Sequence, residues 1–381
     1  MPRTIFEDDH EALRATARTF AERVLAPGLD RFAAEGGIDR DVWREAGRLG
    51  LLGLEVPERY GGAGAGDYRF NAVVAEEFAA VSLGAASSWG VHADVCAPYL
   101  VRLTSDEQRA RWLPGVCSGE LWTAVAMTEP SGGSDLSALR TTAVRDGGDW
   151  VLNGAKTFIT NGRSADLVIV AARTDPAAGA FGISLFAVEA GTPGFERGAP
   201  LDKIGQHESD TAELFFADAR VPGANLIGRP GKGFPYLMRM LPQERLGSAV
   251  VNLAHAARVL DGTLAHARAR EAFGKPIGSL QHNKFVLADL ATSLDVARAY
   301  VDHCITLHRA GAMSAVDAAK AKWWTAETQN RIVDACLQLH GGYGYMAESA
   351  VARAWTAARV TKIWAGANEV MKDLIGADLG L

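Results

Sequence analysis

The sequence predicts an α+β protein with three regions in the order helical, β and helical. In the first third, apolar residues recur at helical spacing, as at Leu13, Ala17, Phe20 and Val24. The middle consists of short β-branched or aromatic runs bounded by Gly, Pro and Asn, which is typical of strands. The last third returns to helical spacing over longer stretches. This order argues against a parallel βαβ fold.

The chain has 381 residues, of which 48% are hydrophobic. A chain of this size supports roughly two to three domains with sizeable cores. We predict an N-terminal α-helical domain over 1–120, a middle β-domain over 121–230 and a C-terminal helical bundle over 231–381.

Individual stretches support each region. The alanine-rich AVVAEEFAAV, residues 72–81, continues the first helical pattern. In TTAVRDGGDWVL, residues 141–152, an Asp-Gly-Gly turn separates two strand-like runs and predicts a hairpin. DLVIVAAR, GISLFAVE and TAELFFADARVP follow as further strands. Two apolar stripes then step by three and four, at Leu246, Val250, Leu253, Ala257, Leu260 and Leu264 and at Val286, Leu290, Leu294, Ala297, Val301 and Ile305. Such stripes favour an antiparallel bundle.

Charge and composition narrow the class of protein. The formal net charge is -6 without a basic run, so nucleic acid is not an expected partner. No apolar run reaches 18 residues, so no membrane span is predicted. The acidic, polar N-terminus resembles neither a signal nor a transit peptide. The four cysteines are far apart and favour buried, reduced thiols. We therefore expect a cytoplasmic protein without a metal site.

Two short segments carry residues suited to a cofactor. AMTEPSGGSDLSALRTTA, residues 126–143, contains Thr128, Gly132, Gly133 and Ser134, a set of small and hydroxyl side chains. Glycines let backbone N–H groups approach a pyrophosphate closely, although an ordinary turn has the same composition. KTFITNG, residues 156–162, alternates as a plain strand also would.

Together with REAFGKPI, LQLHGGYGY and IWAGANEVMK, these segments resemble the acyl-CoA dehydrogenase family over nearly the whole chain. The resemblance implies a β-barrel-like middle domain, a C-terminal antiparallel four-helix bundle and bound FAD. It implies oxidation of an acyl-CoA thioester to the trans-2-enoyl-CoA, with electrons passed to an electron-transfer flavoprotein. The FAD contacts implied by matching positions are Met127, Thr128, Gly133, Ser134, Phe158, Thr160, Arg270, Phe273, Gln281, Gln338, Gly341, Gly342, Asn368 and Glu369.

Some of these contacts cross a subunit boundary in the family. Arg270 and Phe273 match a pair that reaches the neighbouring subunit's FAD, and Gln338 with its following glycines matches an adenosine-side contact made across an interface. The resemblance therefore implies a homo-oligomer, at least a dimer and commonly a dimer of dimers. Read without the family, Arg270 is equally compatible with a solvated helix end, Gln281 with a polar helix start, and the glycines with a helix–helix turn.

The catalytic carboxylate is missing from its usual position. Dehydrogenation needs a base for the α-proton, and many family members carry it as a Glu where this chain has Ala365. Long-chain and isovaleryl-CoA dehydrogenases instead carry the base on the first helix of the C-terminal bundle. Their segments resemble LPQERL here, and Glu244 falls on that base. The two observations complement each other. The substrate contacts implied are Ser134, Arg245, Trp364, Ala365 and Gly366.

Three alternatives stay open at this point. Glu244 follows Pro242, so the sequence places it in the first turn of a helix, where a solvated Glu is favoured by the helix dipole. A flavin oxidase or monooxygenase on the same fold would share most of these motifs. The gap at Ala365 also fits a catalytically inactive paralogue that binds FAD or acyl-CoA. The backbone N–H at Ala365 can still donate to the thioester carbonyl, together with a ribityl hydroxyl of FAD, as the family resemblance implies.

Overall fold

The computed structural model describes residues 3–381. The first helical region packs its helices around a core that includes Phe20, Phe78 and Trp89. A π-helical segment, Gly90–Cys96, connects its fifth and sixth helices. The α-helices before residue 120 are α1 (Asp8–Phe20), α2 (Leu29–Glu35), α3 (Arg40–Arg48), α4 (Tyr68–Val81), α5 (Leu83–Trp89), α6 (Ala97–Leu103) and α7 (Asp106–Ser118).

The middle region is a mixed sheet. Its strands are β1 (Thr123–Ala126), β2 (Thr142–Asp146), β3 (Asp149–Thr160), β4 (Leu167–Arg173), β5 (Ile183–Glu189), β6 (Phe195–Pro200), β7 (Thr211–Val221) and β8 (Leu226–Ile227). The strand order is β6-β7-β3-β2-β4-β5-β8, with β1 parallel to β4. The predicted hairpin is confirmed, because β2 and β3 pair antiparallel up to Asp146 and Asp149 on either side of the glycine turn.

Strand β4 explains how the sheet joins the helices. Successive residues of a strand point to opposite faces. Leu167 and Ile169 belong to a core shared with Trp112 of α7, whereas Val168 and Val170 belong to the core on the other face. The continuous apolar run DLVIVAAR therefore reflects a strand that is buried on both faces.

The C-terminal region is built on three long helices. They are α8 (Gly233–Ala269), α9 (Gln281–Arg309) and α10 (Ala315–His340), followed by α11 (Ala350–Ala358) and α12 (Asn368–Asp378). A short hairpin of β9 (Glu271–Ala272) and β10 (Lys275–Pro276) joins α8 to α9. The predicted apolar stripes face the core, with Leu246, Val250, Leu294 and Val301 all buried. The predicted fold class, with helical, β and helical regions in this order, is confirmed.

One prediction about α8 is wrong. Glu244 does not lie in the first turn of a helix, because α8 begins at Gly233 and continues through Pro242. Proline lacks an N–H, so the carbonyl of Met238 loses its helical partner. Leu237 and Met240, which flank this gap, are buried in a core that includes Tyr99 of α6 and Leu185 of β5, and this packing supports the helix there. None of the helices in residues 3–381 combines the length and apolar character needed to cross a membrane.

Candidate active site

A cavity of 460 Å³ lies between the π-helical segment, the end of β1, helix α8 and the turn before α12. Its wall combines apolar side chains with a small number of polar groups, which is typical of a binding site for a small molecule. The predicted site residues that line it are Met127, Thr128, Gly133, Ser134, Thr160, Glu244, Arg245, Trp364, Ala365 and Gly366. The structure therefore brings together four segments that are separate in sequence, around residues 127–134, 160, 244–245 and 364–366.

Glu244 supplies a carboxylate to this cavity. Its Oε1 accepts a hydrogen bond of 3.0 Å from the hydroxyl of Tyr99 on α6. The pKa of Glu244 is raised to about 7, mainly because the carboxyl group is buried. The Tyr99 hydrogen bond and the Arg245 charge lower this pKa, whereas the Asp94 charge raises it, and burial outweighs the two lowering effects. A carboxyl group with this acidity is suited to accept a proton near neutral pH.

Three lining side chains hold buried polar atoms that have no protein partner within residues 3–381. These atoms are Nε of Arg245, Oγ of Ser248 and Nε1 of Trp364. Buried polar groups are nearly always hydrogen-bonded, so these three atoms can bond to a molecule that enters the cavity. Ser248 lies one helical turn beyond Glu244 on the same face of α8.

The turn before α12 has an unusual backbone. Ala365 has φ +51°, which is uncommon for a residue with a Cβ, and Gly366 follows with φ +93°. The buried Lys322 holds this turn, because its Nζ donates to the carbonyl of Gly366 at 2.6 Å and to Oδ1 of Asn368 at 3.1 Å. Asn368 also donates to Glu327 at 2.9 Å. Within residues 3–381, the backbone N–H of Ala365 has no protein acceptor.

A buried ion pair holds the loop that follows β1. Lys156 Nζ lies 2.8 Å from Glu129 Oε1 and donates to the carbonyl of Met127 at 3.2 Å. Burial raises the pKa of Glu129, but hydrogen bonds from Lys156 and from the backbone of Arg140 and Thr141 outweigh it and hold the pKa at about 2. Burial lowers the pKa of Lys156 to about 8. The loop carrying Thr128, Gly133 and Ser134 is therefore anchored at its base.

Phe158 lies near this loop but does not line the cavity. It has φ +58° and is 69% exposed, at a bulge of β3 between Lys156 and Ile159. A bulge in a strand re-aims a side chain and is frequent near active sites. Its exposed ring leaves an apolar face that a bound cofactor can cover.

The remaining predicted residues lie outside the cavity. Asn368 is buried in the Lys322 network, and Glu369 is exposed at the start of α12. The others are exposed at the end of the bundle where α8 and α10 finish, and these are Arg270, Phe273, Gln281, Gln338, Gly341 and Gly342. The two helix ends are neighbours, because His266 and His340 stack with ring centroids 4.1 Å apart. A single chain does not bring this group to the cavity.

Several site residues were missed in the sequence. Tyr99 bonds to Glu244 across 145 positions, and no local pattern marks it. Asp94 lines the cavity and accepts hydrogen bonds from Tyr68 at 2.9 Å and Asn71 at 3.1 Å. Burial raises the pKa of Asp94 to about 6. The partners Glu129 and Lys156 lie near the start of the two motifs, so an acidic residue in one and a basic residue in the other were the available signal.

The cavity combines hydroxyls, unpaired donors and a carboxyl group. Thr128, Ser134 and Thr160 contribute hydroxyls to its lining, and Glu244 contributes a carboxyl group of raised pKa. The Ala365 N–H and the indole of Trp364 add unpaired donors. Together, the fold and this cavity define a class of protein with a pocket for small molecules that carries hydroxyls, unpaired donors and one carboxyl group of raised pKa.

Comparison with known proteins identifies the family. The family models for the N-terminal, middle and C-terminal domains of acyl-CoA dehydrogenase match residues 7–120, 124–219 and 231–380. The long-chain specific acyl-CoA dehydrogenase of Sus scrofa is 43% identical over 99% of this chain and 88% of its own length. The chain belongs to the acyl-CoA dehydrogenase family.

Solved structures agree with this assignment. An acyl-CoA dehydrogenase from Geobacillus kaustophilus has a TM-score of 0.97 and 43% identity, covering 99% of each chain. A glutaryl-CoA dehydrogenase from Mycobacterium smegmatis in complex with FADH2 has a TM-score of 0.92 and 28% identity, covering 98% of this chain and 95% of its own. Members of the family are FAD enzymes.

Proposed function

We propose that this protein is an FAD-dependent acyl-CoA dehydrogenase in which Glu244 is the base. The observation that carries the proposal is the position of the Glu244 carboxylate in the cavity that Ala365 and Gly366 also line. A methyl group cannot accept a proton, whereas a buried carboxylate with a pKa raised to about 7 can. In this proposal the base that accepts the α-proton is therefore a residue of α8, and not a residue of the turn before α12.

The loop after β1 and the turn before α12 would hold the FAD cofactor, because residues of both line the cavity. Thr128, Ser134 and Thr160 supply hydroxyls along this path, and the ion pair of Glu129 and Lys156 keeps the loop in place. When bound, FAD supplies the acceptor for the β-hydride. Phe158 offers an exposed aromatic face next to this path.

The thioester is activated by the chain's own groups. The backbone N–H of Ala365 donates to the thioester carbonyl, which stabilises the enolate-like charge that develops as the α-proton leaves. Donors of this kind contribute about 3–4 kcal/mol to the transition state. Arg245 binds near the CoA portion, and Trp364 borders the acyl group. Glu244 then accepts the α-proton, and Lys322 keeps the turn in the geometry that this step needs.

Further parts of the proposal concern partners. Electrons pass to an electron-transfer flavoprotein, which is the acceptor expected from the family resemblance. The chain forms a homo-oligomer, with a dimer of dimers as the expected state. Exposed aromatic rings near Arg270 support an interface there, because Phe273, Tyr343 and Tyr345 are 91%, 76% and 81% exposed. A cytoplasmic location stays a prediction.

The test is an anaerobic titration of the purified FAD-loaded protein with acyl-CoAs of different length and branching. At least one thioester should bleach the flavin and yield the trans-2-enoyl-CoA in equal amount. A flavin that stays oxidised with every thioester would support an inactive paralogue. Peroxide released in air at the rate of substrate turnover would support an oxidase instead.

A further inference from the structure

A buried tyrosine contacts the carboxylate of the proposed base. Tyr99 is 0% exposed, and its ring belongs to the core cluster that includes Leu237 and Met240 of α8. Its hydroxyl donates to Glu244 Oε1 at 3.0 Å. Because the ring is fixed by packing, the hydroxyl has one position, and the second oxygen of Glu244 is left for the substrate.

We propose that Tyr99 is a positioning residue, which holds the Glu244 carboxylate in place and keeps it ionised for proton abstraction. The inference rests on the proposed function of Glu244. A hydrogen bond to an ionised carboxylate favours the charged form, in opposition to burial. Without this donor, Glu244 would be protonated over more of the neutral range and would rotate more freely.

Among residues 3–381, Tyr99 is the one whose side chain hydrogen-bonds to the Glu244 carboxylate. The other titratable or charged groups that act on Glu244 are Arg245 from α8 and Asp94 and Cys96 from the π-helical segment. Arg245 favours the ionised form, whereas Asp94 opposes it, and Cys96 is a buried thiol. Burial and the charge of Glu244 raise the pKa of Tyr99 well above its usual value, so its hydroxyl remains a donor throughout the working pH range.

The test is the pH profile of flavin reduction in Tyr99→Phe, measured by anaerobic rapid mixing of the FAD-loaded enzyme with a reactive acyl-CoA. Two or three donors lower a carboxyl pKa by about two units, so the loss of one should move the profile about one unit to higher pH. Reduction should be about tenfold slower on the acid side and approach the parental rate on the alkaline side.

Tyr60→Phe is the matched control. Tyr60 is also buried, and its hydroxyl donates to the carboxylate of Asp106 at 3.2 Å, outside the cavity. The Tyr60 variant should reproduce the parental profile. A Tyr99→Phe profile that coincides with the parental one would overturn the proposal.

A double variant separates positioning from a general loss of structure. If Tyr99 acts through Glu244, then adding Tyr99→Phe to Glu244→Gln should not slow flavin reduction further. An equal slowing in both backgrounds would mean a structural effect and would also overturn the proposal. If Glu244→Gln alone reduces its flavin at the parental rate, the proposed function fails instead, so the two failures are distinguishable.

Discussion

Lys156→Met tests whether the buried ion pair of Lys156 and Glu129 anchors the loop that follows β1. Methionine keeps most of the length of the side chain but removes the ammonium. The carboxylate of Glu129, which is 3% exposed, then loses its 2.8 Å partner. Breaking a buried pair in this way costs about 3–5 kcal/mol. Glu129 keeps its backbone donors at Arg140 and Thr141, so we expect a loss near 3 kcal/mol, with weaker FAD retention.

The assay is urea unfolding at a fixed concentration of protein and FAD, with Arg220→Met as the control. Arg220 pairs with Asp146 in the same sheet, but both side chains are at least half exposed. Such a surface pair contributes about 0–1 kcal/mol. A Lys156→Met loss no larger than that of Arg220→Met would refute the reasoning. The double variant Lys156→Met/Glu129→Gln should recover part of the loss, because it leaves no unpaired buried charge.

The direction in which the free energy of unfolding changes with pH follows from the pKa of Glu129. Its folded-state pKa is about 2, below the unfolded value of about 4.3, so the pair stabilises the fold above that pH. This contribution is lost as the pH falls towards 2. Glu129 has a higher pKa when Lys156 is absent. The difference in unfolding free energy between parent and Lys156→Met should therefore narrow below about pH 4.

Further predictions concern the turn, the interface and pH. Lys322→Met should slow flavin reduction by about tenfold or more, because the Gly366 carbonyl loses its buried donor, and rapid mixing at matched FAD content measures this. Arg270→Ala should weaken FAD retention and assembly together, as seen by absorbance and light scattering; full occupancy in an unchanged oligomer would contradict it. In the parent, kcat/KM should rise about tenfold per pH unit up to about pH 7, since only ionised Glu244 accepts a proton; a flat profile would argue against it.

The sequence predicted the cavity well where its residues lie in short contiguous motifs. Met127 to Ser134 and Trp364 to Gly366 are local segments whose small side chains and turns can be read directly, and the structure places both on one cavity. The gap at Ala365 also indicates, from the sequence alone, that the carboxylate is at Glu244.

The remainder of the site depends on contacts between distant segments. Tyr99 hydrogen-bonds to Glu244 because α6 packs beside α8. Lys322 of α10 hydrogen-bonds to Gly366 because α10 lies next to the turn before α12. Neither contact has a periodic or motif signal. The start of α8 was misplaced because Pro242 is a common helix start, and only tertiary packing shows that the helix continues through it.

The role of the exposed residues at the end of the bundle could not be derived from contacts within one chain. Arg270, Phe273 and Gln338 are exposed in one chain, so their predicted role needs a second subunit. The family resemblance supplies this expectation, and the exposed aromatic rings nearby are consistent with it. Their contact with FAD stays a prediction until assembly and cofactor binding are measured together.

The central claim is that the catalytic carboxylate lies at position 244. Glu244→Gln changes the volume very little, so the fold, FAD binding and CoA-ester binding should persist. Glu55→Gln is the matched control, because burial also raises the pKa of Glu55 to about 7 but its side chain does not line the cavity. Placing Glu at position 365 in the Glu244→Gln variant should restore part of the rate, because both positions face the same cavity.

The most direct measurement is anaerobic rapid-mixing flavin reduction by a reactive acyl-CoA, with FAD content matched between parent, Glu244→Gln and Glu55→Gln. A general base contributes about 10²–10⁴-fold to the rate, so Glu244→Gln should slow flavin reduction by a factor of about 10² or more. Glu55→Gln should reduce its flavin near the parental rate. Flavin reduction at the parental rate in Glu244→Gln would contradict the account.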